Sequence, residues 1–279
     1  MADEREVDLG EVQRTLIIPL AARARESREK RPLLRDPKAV EILESADFDL
    51  ATYGRDWGGA LTVLRTAVYD GWVREFLGEH PGGTVVEIGT GLNTRFERVD
   101  DGRVHWIDLD LPDAVALRRR FFADTERRRT VAASFLDEEW LEAVGAAPGP
   151  YFFVADGVLV YLPEPEVTVA LARLARRFPG ARIAFDTYTR ASVERQHKAA
   201  ERRGIAARWA WACDDPRALG PLGLTVLDSR PVTDPPAEIR GRLSAGRRLA
   251  LRALRPLTRG LMTVNLFEAA RSAGAGRAA

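Results

Sequence analysis

The sequence predicts an α/β protein, built on a doubly wound and mostly parallel sheet with an N-terminal helical cap. Three observations support this prediction. Short apolar runs alternate with helical segments from Thr84 onward, which is typical of strands buried between two helical layers. The first run ends in a glycine-containing turn. The composition, 46% hydrophobic and 30% charged over 279 residues, is that of a globular chain with a large core.

The N-terminal part of the chain is predicted to be helical. Two prolines, Pro32 and Pro37, interrupt a basic segment from Leu16 to Ile42, which favours two short helices joined by a turn. Apolar residues then recur at three-and-four spacing from Trp57 to Leu77, as expected for a helix with one buried face. We expect one domain over 1–279, with 1–80 as a helical cap and 187–222 as an insertion that covers the substrate.

The central part of the chain carries the predicted sheet. Its strands are the apolar runs Thr84 to Ile88, Val104 to Ile107, Thr130 to Ala133, Tyr151 to Ala155 and Arg182 to Phe185. Its helices are expected at Asp113 to Phe122, Glu138 to Val144 and Glu164 to Arg177. Two further strands, Leu224 to Leu227 and Met262 to Phe267, flank a helical stretch from Ala237 to Leu254 and could pair as an antiparallel edge. This alternation of strands and helices favours parallel pairing in the rest of the sheet.

Composition excludes several classes of function. The formal net charge of +1 argues against a nucleic-acid-binding protein, and we interpret the arginines from Arg240 to Arg259 as a solvated helix face. No apolar stretch is long enough to span a membrane. With one cysteine, Cys213, and no secretory pattern, we expect a cytoplasmic protein. None of the three histidines is spaced as a ligand pair with Cys213, so no metal site is predicted.

The segment VVEIGTGLNTRF, Val85 to Phe96, carries the strongest functional signal. Gly89 and Gly91 follow a strand and would let the backbone approach a nucleotide-like ligand closely. Thr94 stands where a pyrophosphate-binding fingerprint needs a third glycine, which disfavours a nicotinamide or flavin enzyme. The acidic Glu87 suits a ligand with an ammonium group, such as the amino-acid end of S-adenosylmethionine.

The second predicted strand ends in two aspartates, within the sequence VHWIDLD. Asp108 and Asp110 follow Gly91 at close to the ~20-residue spacing at which a carboxylate accepts hydrogen bonds from ribose hydroxyls. Solvated aspartates after a tight turn would give the same pattern.

Further motifs resemble the leucine carboxyl methyltransferase family, in particular its bacterial branch that methylates aromatic polyketides and other secondary metabolites. WIDLDLP from Trp106 and ADGVLVYL from Ala155 follow the segment above in the family's order. The likeness extends to RARES from Arg23, DP at Asp36 and WACDDP from Trp211. The resemblance implies a Rossmann-like class I methyltransferase that uses S-adenosylmethionine.

The resemblance also implies roles for individual residues. Arg65 would pair with the methionine carboxylate of the cofactor, with Arg23 or Arg25 as a second contact, and Asp110 would hold the ribose. The other implied cofactor residues are Gly89 and Gly91 around the methionine moiety, Ser134 and Phe135 beside the adenine, and Asp156 near the ammonium end. Two residues depart from the family pattern: Asn93 replaces an aspartate, which puts cofactor affinity in question, and Asp108 replaces a glutamate.

The methyl acceptor is expected beyond the fifth strand, where Tyr188, Arg190, Trp209 and Trp211 are candidates for contact. Tyr53, Arg55 and Trp57 are weaker candidates. A small-molecule carboxylate is favoured because it is ionised near neutral pH and needs no base, whereas a phenol usually does. Alternatives remain open: a hydroxyl acceptor with His197 as base, a non-catalytic cofactor-binding protein and, least favoured, a nicotinamide oxidoreductase. The sequence does not reveal the oligomeric state.

Overall fold

The computed structural model describes residues 11–45, 57–203, 208–258 and 260–271. The candidates Tyr53 and Arg55 lie outside these ranges. The described strands are β1 (Thr84–Ile88), β2 (His105–Asp110), β3 (Arg128–Ala132), β4 (Tyr151–Ala155), β5 (Arg182–Tyr188), β6 (Leu224–Pro231) and β7 (Met262–Ala269). The described helices are α1 (Glu11–Ser27), α2 (Pro37–Ser45), α3 (Trp57–Glu79), α4 (Arg95–Val99), α5 (Pro112–Arg118), α6 (Glu139–Gly145), α7 (Glu164–Arg177), α8 (Arg190–Arg203), α9 (Ala237–Arg242) and α10 (Ala245–Thr258), with 3-10 turns at Leu159–Tyr161 and Pro216–Leu222.

These strands form one seven-stranded sheet in the order β3-β2-β1-β4-β5-β7-β6. Strands β1 to β5 are parallel, and β7 pairs antiparallel with both β5 and β6. The predicted fold class and the antiparallel edge are therefore confirmed. The strand order reverses between β1 and β4, which is the switch point where ligands bind in open α/β sheets.

Two apolar cores cover the two faces of the sheet. In β1, Val85 joins the core that includes α3, while Val86 joins the core that includes α6 and α7. Successive strand residues point to opposite faces, so both must be apolar when helices cover both faces. Helix α3 therefore packs directly on one face of the sheet, although its sequence falls within the predicted cap.

Helices α1 and α2 pack beside the glycine-containing turn. Leu20 and Ile42 form an apolar cluster with Leu92, Leu117 and other residues of that region. The prediction of two short helices joined by a turn is confirmed. Their position brings the N-terminal segment to the edge of the sheet where the candidate site lies.

One predicted helix is wrong in its extent. The stretch from Ala237 to Leu254 is divided into α9 and α10, because the backbone at Leu243 is extended (φ −72°, ψ 143°). Apolar and basic residues continue across the break, so periodicity alone did not reveal it. Arg247 at the start of α10 pairs with the buried Glu26 of α1, so part of the basic stretch binds another helix instead of solvent.

Candidate active site

The loops after β1 and β4 meet at the switch point of the sheet. Ile88, the last residue of β1, pairs in register with Ala155, the last residue of β4. The glycine loop, residues 89–94, and the segment 156–158 therefore leave the sheet side by side. The geometry brings together the two central motifs of the sequence.

The backbone of the glycine loop requires glycine at two positions. Gly89 and Gly91 have φ values of +61° and +47°, which residues with a side chain rarely adopt. A Cβ atom on Gly89 would lie 2.5 Å from Cγ2 of Val158, and one on Gly91 would lie 2.8 Å from Cδ2 of Leu16 on α1. Neither position has room for a larger residue without movement of a neighbour.

Asp110 anchors the glycine loop from the end of β2. Its two carboxylate oxygens accept hydrogen bonds from the backbone N–H groups of Gly91 (2.6 Å) and Leu111 (2.8 Å). Burial raises the pKa of Asp110, and these two donors offset the rise only in part. The residue is half-buried, and each carboxylate oxygen has a further lone pair for a ribose hydroxyl.

Asp108 is different, because its side chain lies inside the protein. It pairs with Arg118 (3.0 Å) and Arg128 (2.7 Å), and it accepts a hydrogen bond from the hydroxyl of Thr90. Burial alone would raise its pKa, but the two arginines lower it below its ordinary value. Of the two aspartates at suitable spacing, only Asp110 is accessible to a ligand; Asp108 is 1% exposed.

Arg95, the first residue of α4, connects the glycine loop to its surroundings. Its guanidinium lies 2.9 Å from carboxylate oxygens of Asp70, Glu87 and Asp156. Burial tends to lower the pKa of Arg95, but these acids raise it well above its usual range. A buried charge is costly unless it has a partner, and here Arg95 and its acids are partners for one another.

Glu87 is occupied by protein contacts. It is 1% exposed and accepts hydrogen bonds from Arg95 and from the side-chain amide of Asn93 (2.7 Å). Burial raises its pKa, which Arg95 offsets only in part. A neutral amide at position 93 donates to Glu87, whereas an aspartate there would repel it. Contact of Glu87 with a ligand stays a prediction.

Arg65 lies at the carboxyl ends of β4 and β5. Its Nε atom is 2.5 Å from Oδ1 of Asp156, and its Nη1 atom is 3.2 Å from Asp186 and 3.0 Å from the hydroxyl of Tyr188. The contact between Arg65 Nε and Asp156 Oδ1 is an ion pair without hydrogen-bond geometry. Within the described ranges, both of these buried atoms lack a hydrogen-bond partner. This ion pair lies beside Gly157.

Two of the four acceptor candidates come together near Arg65. The rings of Tyr188 and Trp209 are 4.3 Å apart, and Tyr188 contacts Arg65. Trp211 instead lies in the core, where its ring packs 6.0 Å from Phe185. Although only two residues apart, the two tryptophans pack in different apolar clusters. Arg190 is exposed at the start of α8, and its contact with an acceptor stays a prediction.

His197 on α8 holds Trp209 in place. Its Nε2 atom lies 2.5 Å from the backbone carbonyl oxygen of Trp209. A carbonyl only accepts, so Nε2 carries the proton in this arrangement. The nearby amide of Gln196 accepts a hydrogen bond from the backbone N–H of Trp209. The structure thus gives His197 a positioning contact.

Ser134 and Phe135 follow β3, on the side of the sheet beyond β2. The hydroxyl of Ser134 accepts a hydrogen bond from the backbone N–H of Leu136. The ring of Phe135 is 7% exposed and packs 6.1 Å from the ring of Trp140. Adenine contacts by these residues stay predictions.

Several site residues were missed by sequence reasoning. Tyr69 and Asp70 on α3, and Asp186 in β5, are buried polar residues within apolar stretches. Asp186 accepts hydrogen bonds from Arg65 and from the backbone N–H of Gly157 (2.7 Å). An acid inside a buried strand is costly unless paired, which is the signal that could have identified it.

Fold and site together define a class of protein. The switch-point loops, the acid after β2 and the positive-φ glycines are those of an S-adenosylmethionine-dependent methyltransferase. The chain is similar to a structure of a DUF574 family protein from Streptomyces avermitilis, with a TM-score of 0.52 and 16% identity over 89% of this chain and 96% of that one.

Residues 17–175 match the model of the leucine carboxyl methyltransferase family. The chain is also 32% identical over 212 residues to the tetracenomycin polyketide synthesis O-methyltransferase TcmP of Streptomyces glaucescens, covering 75% of this chain and 77% of that protein. It is 26% identical to the S-adenosyl-L-methionine-dependent methyltransferase dpfgK of Gibberella zeae, over 78% of this chain and 80% of that one. The protein belongs to the leucine carboxyl methyltransferase family, and S-adenosylmethionine is its cofactor.

Two other predictions concern what the chain lacks. In the parts that the structure describes, no helix is long and apolar enough to cross a membrane. The same residues contain no group of three or more histidine, cysteine or acidic side chains arranged to hold a metal ion.

Proposed function

We propose that the protein transfers a methyl group to the carboxylate of a small-molecule acceptor, an aromatic polyketide or related secondary metabolite. The name of the relative TcmP supports the acceptor class, since it describes O-methylation in polyketide synthesis. The carboxylate is supported by the protonation states of the groups around Arg65.

The switch-point residues fit the cofactor. Gly89 and Gly91 leave the loop backbone open, and Asp110 offers oxygens to the ribose hydroxyls. Arg65 and Asp156 carry the charges that would complement the carboxylate and the ammonium group of the methionine moiety. When bound, S-adenosylmethionine supplies a methyl group on a positively charged sulfur.

The main support for a carboxylate acceptor is that two described groups in contact with Arg65, Tyr188 and Asp156, are poorly suited to take a proton. Burial and the neighbouring Asp186 raise the pKa of Tyr188 well above its ordinary value, so its hydroxyl stays protonated. Burial would raise the pKa of Asp156, but Arg65 and Arg95 lower it, which makes it a weak base. His197 uses Nε2 to donate to a backbone carbonyl, so only Nδ1 is left to accept a proton, and the variant His197→Gln below tests that role.

The other histidines lie at the opposite edge of the sheet. His80 immediately follows α3 and precedes β1, and His105 is the first residue of β2. The carboxyl ends of the strands carry the site, so neither imidazole is near it. A carboxylate with a reference pKa of about 4 is already ionised at neutral pH and needs no such base.

Catalysis would then depend on positioning. Arg65 and Tyr188 form a fixed polar pair, and Trp209 packs on Tyr188 as one wall of the acceptor site. Holding two reactants in line can supply roughly 7–11 kcal/mol of the barrier. These residues orient the acceptor and exclude water, while the acceptor oxygen attacks the methyl carbon.

Methyl-labelled S-adenosylmethionine tests the proposal. The protein is incubated with 2-naphthoic acid or an anthraquinone carboxylic acid, and with the matched phenols. We expect labelled product from the acids, and mild base should release the label as methanol because a methyl ester hydrolyses. Label transferred only to phenols, in a base-stable ether, would refute the carboxylate acceptor.

The variant His197→Gln separates the two acceptor classes further. Glutamine retains an N–H donor for the Trp209 carbonyl but is not a base. A carboxylate acceptor predicts kcat within about threefold of the parent, whereas loss of a general base costs about 100-fold or more. Arg217→Gln, an exposed substitution in the 3-10 turn Pro216–Leu222, serves as the matched control.

A further inference from the structure

A second cavity lies apart from the candidate active site. It has a volume of about 490 Å³ and lies between the turn after α1, helix α3, Arg98 of α4 and Arg242 of α9. That size is in the range of small-molecule sites, roughly 300–1,000 Å³. Among the described residues, its lining includes none of the candidate cofactor or acceptor residues, although it shares Asp70 with the ion pairs of Arg95.

The lining of this cavity is strongly basic. Its cationic side chains belong to Lys30, Arg31, Arg35, Arg74, Arg98 and Arg242. The described lining contains one acid, Asp70. That carboxylate is buried and already bound by two arginines: Arg98 contacts it through Nε (2.7 Å) and Nη2 (3.0 Å), and Arg95 contacts it at 2.9 Å. Both oxygens of Asp70 are thus taken by these two arginines, and its charge acts on Arg74 only at longer range.

Those other cations form no ion pair with the described residues. Arg74 donates to the backbone carbonyl of Arg98 (2.9 Å), and Arg242 donates to that of Leu33. Carbonyl groups orient a guanidinium without neutralising it. Over the described ranges, none of Lys30, Arg31, Arg35, Arg74 and Arg242 has a carboxylate within ion-pair distance.

The distinguishing feature is the concentration of charge. Over the described residues, five cations without an ion pair line this one concavity, whereas Arg127 pairs with Asp100 and Arg255 with Asp234. Cations that converge on one concavity repel one another unless an anion joins them. A single monovalent anion would leave most of this charge unbalanced, so the ligand should carry two or more negative charges.

We propose that this basic cavity binds a small molecule bearing a phosphate or diphosphate group. Guanidinium groups form paired hydrogen bonds with phosphate oxygens, and the arginines here outnumber the lysine. Arg35, Arg74 and Arg242 are exposed, so a ligand can exchange with solvent. The site is separate from the one proposed for methyl transfer and does not depend on the identity of the acceptor.

The test is calorimetric titration of the full chain with inorganic pyrophosphate. The protein is first saturated with S-adenosylhomocysteine, so that the active site is occupied. We expect binding that weakens as ionic strength rises from 50 to 300 mM, because exposed charges are screened. Pyrophosphate that fails to bind, or that binds only before S-adenosylhomocysteine is added, would overturn the proposal.

The double variant Arg35→Gln/Arg74→Gln and the control Arg217→Gln locate the site. Both exchange exposed arginines and should leave Tm within about two degrees of the parent, since exposed charges contribute little to stability. We expect at least about a tenfold rise in Kd for the double variant, from the loss of charge-assisted hydrogen bonds, and no change for the control. An equal Kd for both variants would place pyrophosphate elsewhere and contradict the proposal.

Citrate titrated in parallel checks the ligand class. Citrate that binds more tightly than pyrophosphate would refute a phosphate site.

Discussion

Gly89→Ala is expected to destabilise the protein in two separable ways. Its φ of +61° costs a residue with a side chain about 1–2 kcal/mol. The new Cβ would also lie 2.5 Å from Cγ2 and 3.0 Å from Cγ1 of Val158, and forced overpacking of this kind costs about 1–3 kcal/mol. We therefore expect a loss of roughly 2–5 kcal/mol in the free energy of unfolding.

Val158→Ala removes the clash but leaves the backbone strain. Without the two γ-carbons, the nearest Val158 atom to the new Cβ is its own Cβ, at 3.3 Å. The loss in free energy of unfolding of the double variant should thus be about 1–3 kcal/mol smaller than the sum of the losses of the two single variants. Urea denaturation of the four proteins, with equal m-values, measures this coupling.

Gly71→Ala on α3 is the matched control. Nothing lies within 4 Å of its Cβ position, so alanine should stabilise the helix by about 0.4–1 kcal/mol. The reasoning would be refuted if Gly89→Ala changed stability as little as the control, or if the coupling with Val158 were zero. Either result would mean that the loop does not hold Gly89 against the segment after β4.

Three further predictions concern the polar residues around the loop. Asp110→Ala should weaken S-adenosylhomocysteine binding about 10- to 150-fold by calorimetry, as lost hydrogen bonds to a charged group cost about 1.5–3 kcal/mol; unchanged binding would remove Asp110 from the ribose role. Asn93→Asp puts a second acid beside Glu87, which raises a carboxyl pKa in the folded state. The stability of the protonated form is lost as pH rises, so the loss in free energy of unfolding relative to the parent, measured in urea, should be larger at pH 8 than at pH 5. An equal loss at both pH values would contradict the contact. Asp70→Asn should cost about 3–5 kcal/mol at pH 6. The pKa of Asp70 is held below its ordinary value because Arg98 and Arg95 outweigh the effect of burial, so its stabilisation is present above the unfolded pKa and lost as pH falls; the deficit should shrink toward pH 2, and a constant deficit would argue against these ion pairs.

The central part of the fold was predictable because its strands are apolar on both faces. Strands β1 and β4 and helix α7 were predicted with the bounds that the structure shows. Short α4 was not predicted, since five residues carry less than two turns of periodicity. The division of α9 from α10 was also missed, because neither of the two connecting residues, Leu243 and Ser244, is a proline or a glycine.

The site was predictable to the extent that it follows strand ends. Sequence spacing brought the glycine loop and Asp110 together, since both sit at the carboxyl edge of adjacent strands. It could not show that Glu87 and Asp108 face arginines in the interior. Those pairings join residues 8 and 20 positions apart through tertiary packing, which no local pattern reports. The basic cavity was missed for the same reason, because its cations come from four separate segments.

Calorimetric titration with S-adenosylhomocysteine, run beside NADH, tests most directly whether the switch-point loops form a methyltransferase cofactor site. We predict micromolar binding of S-adenosylhomocysteine to the parent protein and no binding of NADH. Tight binding of NADH, or no binding of S-adenosylhomocysteine to the folded protein, would contradict the assignment of these loops.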